Sequence, residues 1–191
     1  MKNFYVEYLN AHIKLCQQVF ELDSEVQLAS SEIAKSISHG NKLLLAGNGG
    51  SAADCQHIAA EFTGRFILDR KPLAAISLTT DTSALTCISN DYSYSEVFAR
   101  QLSAIGRSGD CFIGISTSGN SLNIRNAIRV AKEMNIFTIG LLGNDGGEIG
   151  KICDLPIIVP SKVTARVQEI HILVGHSICA NVEANLLVEK F

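Results

Sequence analysis

Short apolar runs recur along this chain, and most give way to a polar or glycine-rich segment and then to helical periodicity. Residues 43–46 form the first run, followed by Gly47-Asn48-Gly49-Gly50 and a helix predicted over 51–63 that Gly64 stops. Residues 73–78 form the second. The third is 112–115, with a helix predicted over 121–134 after it. Residues 136–142 and 155–159 complete the set, and a long last helix is predicted over 165–188. These runs are apolar on both faces. Alternating with helices, they fit a parallel sheet covered on both sides. Ligands of such sheets bind beyond the carboxyl ends of the strands, so functional residues are expected in the segments that follow them.

Two helical segments come first. Tyr5, Leu9, Ile13, Cys16 and Phe20 recur at helical spacing. A second helix is predicted to open at Ser24, where Ser24-Glu25-Val26-Gln27 matches a capping box, and to stop at Gly40. The chain has 191 residues, is 47% hydrophobic and 18% charged, and contains only three prolines. One domain over 1–191 is the economical reading, with 1–40 as a helical N-terminal extension. A net charge of −3 does not favour a polyanion, so no nucleic-acid partner is expected. The N-terminus lacks the apolar core of a signal peptide, and no apolar run approaches the ~20 residues of a membrane span. A cytoplasmic protein with no membrane partner follows. The six cysteines are nowhere closer than 24 residues, which gives no local metal knuckle or redox pair. They are expected to be buried thiols.

The glycine turn lets backbone approach a ligand, and the helix start after it offers free N–H groups. A tight turn without a ligand is the plain alternative. Gly47, Gly49 and Ala52 also fit a dinucleotide spacing. That fingerprint needs an acid about 20 residues on, ending the next strand. Asp81 lies 34 residues beyond Gly47, and Asp69, 22 beyond, precedes the strand. No nucleotide cofactor is expected. Ser116-Thr117-Ser118-Gly119-Asn120-Ser121 follows the third run and opens a helix. Its hydroxyls and helix-start N–H groups suit a phosphate monoester, although Ser or Asn there could simply be an N-cap. His57 and Glu61, four residues apart, share a helix face and can bind a metal or move protons. The last helix carries Gln168, Glu169, His171 and His176, the last of these in an apolar stretch. His12 and His39 are expected at the surface.

Together these motifs resemble the bacterial phosphoheptose isomerases of the sugar-isomerase (SIS) domain family. The likeness is carried by Gly47 to Asp54 continuing through His57 and Glu61, by Asn90-Asp91, by Ser116 to Ser121, and by Arg166-Val167-Gln168-Glu169-Ile170-His171 followed by His176. It covers essentially the whole chain. It implies an α/β fold, a three-layer α/β/α sandwich on a five-stranded parallel sheet, with the leading helices serving assembly. It implies a homotetramer with active sites at subunit interfaces, and interconversion of sedoheptulose 7-phosphate and D-glycero-D-manno-heptose 7-phosphate on the way to surface glycans such as lipopolysaccharide. Carried over residue by residue, Glu61 and His176 are the catalytic pair. Asn48, Gly49, Gly50, Glu61, Arg65, Asn90, Asp91, Ser116, Thr117, Ser118, Ser121 and Gln168 hold the sugar phosphate. His57, Glu61, Gln168 and His176 hold one Zn2+ per subunit. Gln168 and His176 are eight residues apart, about 12 Å along an ideal helix, so a shared ion requires their side chains to lean together. Ala165 stands where some members carry an acid. The rival readings are a non-catalytic scaffold that binds the replication initiator, another sugar-phosphate reaction on this fold, and a sugar-phosphate sensor. Glu61 and His176 argue against the scaffold, whose members lack them.

Overall fold

A computed structural model describes residues 3–188, with side chains through residue 186. Five strands, β1 (Leu43–Gly47), β2 (Ala75–Ser77), β3 (Cys111–Ser116), β4 (Phe137–Gly143) and β5 (Leu155–Val159), form one parallel sheet in the order β2-β1-β3-β4-β5. The central strands are buried at nearly every position. The edge strands are not: Ile76 is exposed in β2, and Pro156, which lacks a ladder donor, sits in β5.

The helices are α1 (Phe4–Gln18), α2 (Asp23–Ser38), α3 (Gly50–Thr63), α4 (Thr82–Asp91), α5 (Val97–Ile105), α6 (Leu122–Glu133), α7 (Gly147–Gly150) and α8 (Thr164–Val188). Successive strand residues point to opposite faces, and two cores follow from this. Leu43, Leu45, Ile113, Ile115, Ile139, Leu141 and Ile157 pack against α2, α3 and α8 through Ile33, Ile58, Phe62, Ile170 and Ile178. Leu44, Ala46, Phe112 and Leu142 face α5 and α6 through Phe98, Leu102, Ile124 and Ile128. The result is the three-layer sandwich expected from the resemblance. On the second face, a Cβ on Gly114 would come within 2.7 Å of Ile124, so the missing side chain lets α6 lie close on β3.

Two local readings are corrected, and two helices fall where none is predicted. No capping box forms at Ser24. A 3-10 turn over Val19–Leu22 runs straight into α2, whose N-cap is Leu22, and Ser24 Oγ donates to Glu25. No element is predicted between residues 78 and 112, yet that stretch folds into α4 and α5. Helix α4 has no buried residue and so writes no stripe, and α5 packs its buried Val97, Phe98, Ala99 and Leu102 into only nine residues, short for a periodic pattern to be read. Of the cysteines, Cys87 is exposed and Cys16 only half-buried. Most of the apolar stripe of α1 also stays open: Tyr5 is 74% and, just beyond the helix, Phe20 is 80% exposed. No helix among the described residues is long and apolar enough to cross a membrane.

Candidate active site

The strand order reverses direction between β1 and β3, so the segments that follow these two strands lie side by side at the carboxyl edge of the sheet. The β1 segment turns at once. Gly49 takes a positive φ of 57°, and a Cβ on Gly47 would meet Ser51 O at 2.6 Å, so neither position accepts a larger residue without strain. Asn48 bridges to the other segment: its Nδ2 donates to Asn123 Oδ1 (3.0 Å), Asn123 Nδ2 donates back (2.8 Å), and Tyr94 Oη donates to Asn48 Oδ1 (2.8 Å). Asn123 and Tyr94 escaped the sequence reading. The only available signal for Asn123 was a polar residue on the buried stripe of α6.

In the β3 segment, Ser121 stands at the N-cap of α6, but its side chain makes no cap bond. Its Oγ instead pairs with Ser116 Oγ (2.9 Å). The simple N-cap reading is thereby set aside; Ser121 N donates to Ser116 Oγ (3.4 Å) and Ile124 N to Asn123 Oδ1 (3.0 Å), which among the described residues leaves the N–H groups of Leu122 and Asn123 at the helix start for an anion. Thr117 and Ser118 line a cleft of about 300 Å3 with Asn144, Lys162 and Thr164. From α8, the Gln168 amide reaches the glycine turn: a Cβ on Gly50 would come within 2.6 Å of its Nε2.

About two turns down α3 from the glycine turn, α3 and α8 pack closely. Gly175 makes the crossing close, because a Cβ there would fall 2.6 Å from Ile58 Cδ1. The neighbours of these two residues therefore meet. His57 Nε2 lies 3.2 Å from Glu61 Oε1 and 3.5 Å from His176 Nε2. The imidazoles meet edge-on, with centroids 4.9 Å apart and planes at 80°. Phe66 stacks on the other side of His176 at 5.3 Å and 21°. One ligand atom from each of His57, Glu61 and His176 fits within 4.8 Å, a set that could hold a divalent ion. Gln168 is placed against Gly50 rather than by a short contact with that trio. One turn back on α3, burial raises the Asp54 carboxyl above its ordinary range, an effect that nearby His57 only partly offsets, and Asp54 Oδ2 has no partner among the described residues.

Other expected residues lie apart from these contacts. Asn90 and Asp91 hydrogen-bond within α4, where Asn90 and then Cys87 hold the Asp91 carboxyl below its usual range. Arg65 is exposed and makes no hydrogen bond or ion pair among the described residues. Asp81, the weighed ribose ligand, is the N-cap of α4, accepting from Ala84 N (2.9 Å). His171 is a core residue: its Nε2 faces Leu142 O (3.1 Å), and burial drives its pKa down to about 4. His12 is tied to Glu169 (2.8 Å), and Arg166 Nη1 donates to Tyr8 O, so α1 is latched to α8.

The SIS domain family model matches residues 7–143. A phosphoheptose isomerase of Clostridium acetobutylicum is 51% identical, with 100% of this chain and 98% of that protein covered. Another, from Aneurinibacillus thermoaerophilus, is 52% identical over 97% of each. The solved phosphoheptose isomerase of Neisseria gonorrhoeae superposes with a TM-score of 0.90 at 42% identity, covering 94% of this chain and 97% of that one. The chain belongs to the phosphoheptose isomerases of the SIS domain family.

Proposed function

We propose that the enzyme interconverts sedoheptulose 7-phosphate and D-glycero-D-manno-heptose 7-phosphate, the entry to activated heptose for surface glycans. The convergence of Glu61, His57 and His176 on two helices whose starts border the glycine turn and the hydroxyl-rich segment's edge of the sheet carries this reading. Ser116, Thr117, Ser118 and Ser121 bind the phosphate, with Asn48, Gly49, Gly50 and Gln168 along the sugar. The Glu61 carboxylate takes the proton from C1 of the ketose, giving an enediol, and returns a proton to C2. His176 moves the proton between the two oxygens, so that the C2 carbonyl becomes a hydroxyl as the C1 hydroxyl becomes a carbonyl. Roles reverse in the other direction.

His57, Glu61 and His176 suit one Zn2+ per subunit, with Gln168 as a further ligand once its side chain leaves Gly50. When bound there, the ion supplies polarisation of the substrate carbonyl. We assign the active form to a cytoplasmic homotetramer. Two features support that reading: the open apolar stripe of α1, and six free thiols that suit a reducing compartment. Arg65, Asn90 and Asp91, which among the described residues bond to nothing in the site of their own subunit, then act at the subunit interface. In deuterated water, NMR should show wild-type protein converting sedoheptulose 7-phosphate to the aldoheptose phosphate, and Glu61→Gln should not. Absence of turnover by metal-replete, tetrameric wild-type protein would sink this assignment.

A further inference from the structure

Glu183 is a carboxylate only 2% exposed, and the residues that hold it are more than 100 positions away in sequence. It lies seven residues after His176 on α8, which puts both on one helix face. Its carboxylate accepts from three successive backbone amides: Phe66 N to Oε1 (3.0 Å), then Ile67 N (3.1 Å) and Leu68 N (3.0 Å) to Oε2. Arg70 Nε donates to Oε1 as well (2.8 Å). The rest of the Arg70 fork turns back to the end of α3, where Nη2 donates to Glu61 O (2.8 Å) and Nη1 to Phe62 O (2.9 Å). Those carbonyls belong to the last turn, which has no helical partners of its own. One buried ion pair thus grips the backbone of Glu61 on one side, and on the other the residue whose ring stacks on His176.

We infer that the Glu183–Arg70 pair is a positioning device that keeps Glu61 and the Phe66-backed His176 in register across the α3–α8 crossing. An ion pair of this kind need not add stability; what it adds here is a fixed backbone at Glu61 and at Phe66, whose ring backs His176. The inference rests on the isomerase reading for its kinetic consequence, but its geometry can be tested independently.

The test compares wild type, Glu183→Gln and Arg70→Lys, the last keeping the charge while losing the fork to the Glu61 and Phe62 carbonyls. Two quantities are read on protein shown to be folded by circular dichroism: the NOE between the Phe66 and His176 ring protons, and kcat and KM for sedoheptulose 7-phosphate. The expected result is a lost or weakened NOE together with a kcat lowered ~10- to 100-fold, while KM moves less than about threefold. A folded variant that retains the NOE, or whose kcat per folded molecule stays within about twofold of wild type, overturns the positioning role. If Glu183→Gln does not fold, Arg70→Lys decides. A wild type with the NOE but no turnover refutes the substrate assignment alone, and the NOE in the variants then decides whether the pair holds the geometry.

Discussion

His171 ties the stability of the sheet to pH in a way that can be worked out from its surroundings. It is 1% exposed. Its Nε2–H donates to the carbonyl of Leu142, in β4, and its Nδ1 has no partner among the described residues. Only the neutral ring fits, since a protonated Nδ1 would bury a charge with no acceptor. Burial therefore lowers its pKa from 6.5 to about 4. The sign follows from proton binding. Between these two values the unfolded chain holds the proton and the folded chain does not, so stability falls as pH falls. The contribution of His171 is fully present above pH 6.5, is lost progressively below it, and levels off under about pH 4. Each pH unit crossed within that window costs ~1.4 kcal/mol, so going from pH 8 to pH 5 should remove about 2 kcal/mol through this residue alone. Gln at this position can place its amide nitrogen near that of Nε2 and has nothing to titrate. Urea unfolding of wild type and His171→Gln at pH 8 and pH 5 should show a pH-dependent loss about 2 kcal/mol larger in wild type. Equal losses in the two proteins would mean that the ring is not held neutral in the fold.

The close α3–α8 crossing makes a second prediction. Gly175→Ala should destabilise by roughly 1–3 kcal/mol by crowding Ile58, and adding Ile58→Val, which removes the nearest atom, should recover much of that in thermal melts. Ser116→Ala removes a hydroxyl from the phosphate loop and should raise KM for the sugar phosphate roughly tenfold in steady-state assays, with a smaller change in kcat. Chelator-treated protein should lose zinc on elemental analysis. His57→Ala should lower zinc stoichiometry under the same dialysis, whereas His39→Ala should not.

The order of residues alone dictates the alternation of buried runs and helices, because a strand covered on both faces must be apolar at nearly every position. It also marks the glycine turn, the serine-rich segment and the His57–Glu61 spacing, since glycine geometry, hydroxyl density and helical periodicity are local properties. Packing in three dimensions settles the rest. Helices α4 and α5 drew no clear reading, since one buries nothing and the other is short. His176, alone in an apolar stretch, meets His57 only because Gly175 lets α8 close on Ile58. His171, five residues earlier, points into the sheet and is a core residue. Asn123, Tyr94, Phe66 and the Glu183–Arg70 pair act across 46, 75 or more than 100 residues of chain, as with Tyr94 to Asn48, Asn123 to Asn48, and Arg70 to Glu183. Contacts at such separations leave no periodic trace in one sequence. The Asn48 contacts exist because the parallel topology brings the segments after β1 and β3 to one edge of the sheet, and the Phe66, Arg70 and Glu183 contacts because α3 and α8 run side by side from that edge to the other.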